Sequence, residues 1–153
     1  MKIALGFSLV FLLVAIFPGC SATKNTALNI SEEEKTAFTQ SDGRQDTVLL
    51  SSDATEYELI IIEPGFNTWL QGVARPKGFY SQSFLERRNL FYVNAWNQRT
   101  LSPQRYDPML YQMQIDYDSR IDYGYDLNFK LYNYFIYFQR KYRQRLGPFT
   151  PRI

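Results

Sequence analysis

Histidine is absent from this chain of 153 residues, and cysteine occurs once. The lack of histidine removes the commonest general base and metal ligand, and a single cysteine cannot form a disulfide within one chain. The formal net charge is only +2, which gives no case for nucleic acid as a partner. No glycine-rich phosphate loop is present. These absences favour binding over catalysis, and we expect neither a metal nor a cofactor.

The amino terminus has the layout of an exported signal segment, with Lys2 before an apolar run at residues 3–17. The run is too short for a spanning helix, which needs about twenty apolar residues. Residues 17–20, Phe-Pro-Gly-Cys, resemble a bacterial lipobox, where a diacylglyceryl group is transferred and the chain is cleaved before the cysteine. The resemblance implies that acyl chains on Cys20 anchor the mature protein to a membrane. The alternative is an ordinary cleaved signal with an incidental cysteine.

Composition divides the chain into four segments. We expect a lipoprotein signal peptide at 1–19, the lipidated Cys20 with a flexible tether at 20–54, a folded domain at 55–146 and a tail at 147–153. The tether is predicted from short polar stretches that have little to bury. Within it, Ser31 and Glu34 have capping-box spacing, which predicts a brief helix through Phe38.

The folded domain is predicted to have the order strand, helix, helix, strand, helix. The elements expected are a strand at 57–63, a short helix from Phe66, a longer helix capped by Ser83 and running toward Thr100, a second strand at 109–118 with alternating polarity, and a last helix from about 124 to 142. The long crossover permits parallel pairing of the strands. The fold class expected is therefore a small, helix-dominated α+β or α/β domain with few strands.

Several strings of this sequence together resemble a known but uncharacterised family. They are residues 57–66 (YELIIIEPGF), 69–70 (WL), 80–83 (YSQS), 96–97 (WN), 114–118 (QIDYD), 121–124 (IDYG) and 131–135 (LYNYF). The family consists of short lipoproteins of Gram-negative bacteria, Bacteroidota in particular, and is catalogued as a domain of unknown function. The resemblance implies a single domain in the cell envelope and brings no activity. Residues 21–24, Ser-Ala-Thr-Lys, lack the acidic residues that often mark surface export in that group, so the resemblance favours an outer-membrane lipoprotein facing the periplasm.

Three carboxylates are candidate catalytic residues because each is predicted to lie near the end of a strand. Glu63 ends the first predicted strand, and Asp116 and Asp118 end the second. If the strands are parallel, all three approach one sheet edge, where ligands of open sheets bind. Two of them could then divide acid and base roles in a hydrolase or lyase acting on cell-wall glycan. The alternative is that they are solvated or bonded to backbone and arginine.

The segment 116–124 superficially resembles a calcium loop. The EF-hand pattern requires an oxygen ligand at position 5 and glycine at position 6. Here those positions hold Arg120 and Ile121, so the calcium interpretation fails, and turn-forming or capping aspartates are the better account.

Candidate binding residues come from the mixture of tyrosine, arginine and asparagine side chains. Those singled out are Arg87, Arg88, Asn97 and Arg99. Exposed tyrosines beside them would suit an envelope protein or glycan partner, whereas tyrosines that fill the core would need no ligand. The basic end at 140–145 could attract an anionic lipid or glycan, although cations favour helix carboxyl ends anyway. The leading hypothesis is a lipid-anchored periplasmic binding module; a structural accessory of an outer-membrane complex is another.

Overall fold

The structure is a computed structural model that describes residues 28–40, 47–52 and 55–153, with the backbone alone described for residues 47–52 and 55–62. Four helices and two strands follow one another along the described chain. They are α1 (Glu32–Thr39), β1 (Thr47–Ser52), β2 (Thr55–Ile62), α2 (Phe66–Gly72), α3 (Gln82–Thr100) and α4 (Gly124–Lys141).

The expected α+β or α/β fold, with its order strand-helix-helix-strand-helix, is wrong. Within the described residues the core is made by helices, and the strands form only a two-stranded antiparallel hairpin of β1 and β2. β2 confirms the first predicted strand. The second predicted strand, residues 109–118, consists of turns and irregular backbone, so the parallel pairing is wrong as well.

The irregular segment is held by side chains of α3 instead of by a neighbouring strand. Asn97 Nδ2 donates to the carbonyl of Ile115 at 2.9 Å, and the Ile115 N–H donates to Asn97 Oδ1 at 2.8 Å. Trp96 Nε1 donates to the carbonyl of Met113 at 2.8 Å. Tyr111 and Ile115 are buried. The alternating polarity that predicted a strand therefore comes from a segment laid across the helices.

Helix α4 is the centre of the molecule, because every residue from 131 to 140 is buried. α3 packs beside it, and residues later in α3 contact residues later in α4. Asn89 meets Asn128 at 3.0 Å, and farther along, the Trp96 ring lies 4.8 Å from that of Phe138. The two helices therefore run roughly parallel and end at the same end of the molecule.

The short amphipathic helix predicted at Phe66 is confirmed as α2, with Phe66 and Trp69 buried. The long helix is also confirmed, but its cap is Ser81, whose Oγ accepts from the Phe84 N–H at 3.3 Å. The predicted cap at Ser83 is wrong by two residues. Only Ser83 has a glutamate three residues later, at Glu86, so the capping-box spacing favoured the wrong serine.

Helix α1 confirms the brief helix predicted after Ser31, whose Oγ accepts from the Glu34 N–H at 3.2 Å. Its Ala37 is buried, and the ring of Phe38 lies 5.2 Å from that of Tyr137. Pro151 is buried as well. The packed residues therefore extend on both sides of the range 55–146.

A buried ion pair joins α1 to α4. Arg140 donates to both carboxylate oxygens of Glu34, with Nη2 at 2.6 Å from Oε2, and Trp69 Nε1 donates to Oε1 at 3.3 Å. The remaining Arg140 donors reach the carbonyls of Pro151, at 3.0 Å, and Asn29, at 2.8 Å. One guanidinium thus fastens both chain ends of the described body.

Candidate functional site

Glu63 lies directly after β2 and is buried against the end of α4. Its Oε1 accepts from Lys141 Nζ at 2.7 Å and from the Tyr142 hydroxyl at 2.8 Å. Lys141 Nζ also donates to the carbonyl of Pro64 at 2.9 Å, and the Tyr137 hydroxyl donates to the same carbonyl at 2.5 Å. These contacts fix the turn between β2 and α2 onto α4.

The phenols around Glu63 stay protonated and are therefore poor nucleophiles. Burial, followed by the hydrogen bond to the Glu63 carboxylate, raises the pKa of Tyr142 above its ordinary value. Burial also raises the pKa of Tyr134, and the charge of Glu63 adds to the effect. Both hydroxyls therefore stay protonated across the physiological range, and the cluster is suited to holding the fold together.

Asp118 is bound by its near neighbour Arg120. The Arg120 side chain donates through Nε at 3.0 Å and Nη2 at 2.6 Å, and its backbone N–H donates at 2.9 Å. The side-chain hydrogen bonds, followed by the backbone one, lower the pKa of Asp118 to about 2. A carboxyl with so low a pKa is a poor general acid or base near neutral pH. Asp116 is exposed on the same irregular segment.

The sheet edge that was expected to gather the carboxylates does not exist in the described chain. Glu63 is held at the carboxyl end of α4, whereas the Asp118 N–H donates at 3.0 Å to the hydroxyl of Tyr123, which caps the amino end. α4 has 18 residues and is therefore roughly 27 Å long. Glycosidases keep their two carboxyl groups within about 10 Å. The structure does not bring Glu63 and Asp118 together.

Three of the four candidate binding residues are used inside the molecule. Asn97 holds Ile115, as described above. The guanidinium of Arg88 stacks 3.3 Å from the ring centroid of Phe149 and 5.2 Å from that of Phe84. Arg99 binds the segments that follow α3 and α4. Arg87 is the one that is exposed.

Of the two roles considered for the tyrosines, most fill the core: Tyr123, Tyr132, Tyr134 and Tyr137 are buried, and Tyr125 is partly buried. The prediction missed a different set of side chains, which are apolar and exposed. Leu101, Met109 and Met113 are 69%, 73% and 71% exposed. The two methionines could have indicated this exposed apolar surface from the sequence, but their segment was predicted to be a strand.

Within the described residues, no three cysteine or acidic side chains group as metal ligands, and no helix there is long and apolar enough to cross a membrane. Cys20 lies outside the described residues.

A family model described as "Family of unknown function (DUF6146)" matches residues 9–150. The chain belongs to this family. The match covers Cys20, the whole described body up to the buried Leu146, and every candidate residue discussed above. No curated protein and no solved structure matches the chain. The family assignment carries no activity.

Proposed function

We propose that this protein is a lipid-anchored component of the bacterial cell envelope that acts by contact rather than by catalysis. Acyl chains on Cys20 hold it on the outer membrane, and its folded part faces the periplasm as a binding or accessory module for an envelope protein or glycan. The anchor is supported by the signal-like run before Cys20, and the family match from residue 9 includes most of that run.

One observation carries the proposal of a contact role. Glu63 and Asp118, two of the three carboxylates on which acid–base chemistry would depend, are engaged in internal ion pairs at 2.7 Å and 2.6 Å, while large apolar side chains stay exposed. Exposed apolar side chains that form a patch mark an interaction surface.

Complementation of a deletion strain tests the contact role. We expect Asp116→Asn and Asp118→Asn to restore the wild-type phenotype, because neither residue is needed for chemistry. Glu63→Gln weakens a structural contact, so its matched control is Lys141→Gln, which breaks the same ion pair. If Glu63→Gln abolishes function while the equally destabilised Lys141→Gln retains it, Glu63 has a chemical role and the proposal fails.

A further inference from the structure

We infer that the end of the molecule where α3 and α4 terminate rests on an anionic bilayer surface. This inference deepens the proposed function and relies on its lipid anchor. The surface concerned, which we name the terminal face, consists of Leu101, Arg105, Met109, Met113, Arg143 and Arg145.

Arg99 holds the parts of the terminal face together. Its Nη1 donates to the Tyr111 hydroxyl at 2.5 Å and to Gln144 Oε1 at 3.3 Å, and its Nη2 donates to the carbonyl of Arg145. Its guanidinium also stacks 4.8 Å from the ring of Tyr106. The segments after α3 and after α4 are thereby joined around one side chain. The exposed residues on both segments belong to one surface.

The terminal face combines exposed apolar side chains with cations that have no carboxylate partner, although Arg145 Nη2 donates to the carbonyl of Pro148 at 2.9 Å. Its three apolar residues are each more than two-thirds exposed. Arg105, Arg143 and Arg145 are also exposed, and none of them is ion-paired within the part of the chain whose side chains are described. Arginines beside Leu and Met match a bilayer interface, where apolar groups enter the acyl boundary and guanidinium groups bind lipid phosphate.

The path of the chain favours a membrane over another occupant of this face. The carbonyl of Asn29 accepts from Arg140, the last residue but one of α4, so the chain toward Cys20 leaves the body at the same end as the terminal face. Nine residue steps separate Cys20 from Asn29, and they span at most about 30 Å. An anchor at Cys20 therefore keeps this end close to the bilayer, where even a weak contact is populated at a high effective concentration.

The test places an environment-sensitive fluorophore on the full mature protein, reconstituted in vesicles. Because Cys20 is the sole cysteine and is acylated in the proposed form, a Met113→Cys variant has one labelling site. Ser119→Cys, on the exposed segment near the other end of α4, is the matched control. We expect the label at 113 to shift to the blue and to be quenched by nitroxide lipids in vesicles with phosphatidylglycerol, but not in phosphatidylcholine alone. The label at 119 should stay in water.

Charge reversal distinguishes binding of the terminal face to anionic lipid from nonspecific adsorption to vesicles. Arg105→Glu combined with Arg143→Glu should abolish the shift at position 113. The control, Arg87→Glu with Arg120→Glu, changes the net charge equally and should leave it intact. The inference would be overturned if the label at 113 did not shift in either kind of vesicle, or shifted equally in both. It would also be overturned by a shift without vesicles that grows with protein concentration, because that would indicate a second copy of the chain as the occupant of the face. A free thiol on Cys20 in the unlabelled parent would instead refute the proposed anchor. Met113→Cys combined with Cys20→Ser, added to the same vesicles from solution, then tests the face separately.

Discussion

At the scale of single residues, the most consequential contact is the buried ion pair of Glu34 and Arg140. The two side chains are 0% and 5% exposed, so both charges have been removed from water. The attraction offsets that desolvation because further hydrogen bonds, from Trp69 to Glu34 and from Arg140 to the carbonyls of Asn29 and Pro151, satisfy the two side chains. The pair therefore specifies where α1 docks more than it adds net stability.

Removing one partner of this pair should be costly. We expect Arg140→Met to lower the free energy of unfolding by about 3–5 kcal/mol, because an uncompensated carboxylate stays buried. The double variant Glu34→Met/Arg140→Met should lose clearly less. Urea denaturation of this double variant and of the single variants Arg140→Met and Glu34→Met measures the difference. A double variant as unstable as the sum of the two single ones would contradict this description of the pair.

Asp118 provides a pH-dependent prediction. Its pKa of about 2 lies below the usual value of about 3.9, so its contact with Arg120 is present above about pH 4 and is lost as pH falls through 2. We expect Arg120→Gln to raise the pKa of Asp118 toward the usual value, and Arg105→Gln to leave it unchanged. The carboxyl carbon shift in an NMR titration reports both. An Asp118 pKa that stays near 2 in Arg120→Gln would show that the guanidinium is not the cause.

At the scale of elements, local signals predicted the helices well because a helix satisfies its own backbone hydrogen bonds. α2, α3 and α4 follow from apolar spacing and stop signals, and β2 from its β-branched run. The segment 109–118 failed because alternation says which side chains are buried but not whether a second strand is present to complete a ladder. β1 at 47–52 was assigned to the tether, because its six residues alone do not show that they pair with β2.

Gly65 lies at the junction between β2 and α2, where there is no room for a side chain. Its φ is 85°, and a Cβ there would lie 2.3 Å from the carbonyl oxygen of Ala37 and 2.9 Å from the Tyr137 hydroxyl. Gly78 has a similar φ of 87° with open space around it. We expect Gly78→Ala to cost about 1 kcal/mol from backbone strain and Gly65→Ala roughly another 1–3 kcal/mol from overpacking. Equal losses in urea denaturation would mean that α1 does not dock as described.

The two hydrogen bonds between the Asn97 side chain and the backbone of Ile115 can be tested by removing that side chain. Asn97→Ala should leave the N–H and carbonyl of Ile115 without partners, at a cost of about 1–3 kcal/mol. Hydrogen exchange of the Ile115 amide should quicken accordingly. Asn94→Ala, at an exposed position of the same helix, is the control and should change nothing. Unchanged hydrogen exchange at Ile115 in Asn97→Ala would show that Asn97 does not hold this segment.

At the scale of the whole molecule, the sequence supports a proposal for the anchor but gives no indication of the surface. The lipobox-like stretch around Cys20 is a local pattern, so one sequence suffices to propose it. The terminal face, in contrast, assembles residues that follow two different helices, and the parallel course of α3 and α4 became known only from packing. For the same reason, Arg99 and Asn97 were predicted as binding residues although their partners are inside the molecule.

The central claim is that acyl chains on Cys20 fasten this protein to a membrane. Mass spectrometry of the amino-terminal peptide of the mature protein, purified from the bacterial envelope, tests it most directly. We predict a peptide that begins at Cys20 and carries a diacylglyceryl group with fatty acyl chains such as palmitate. A mature protein with an unmodified Cys20 thiol, or one that begins at a later residue, would contradict the account.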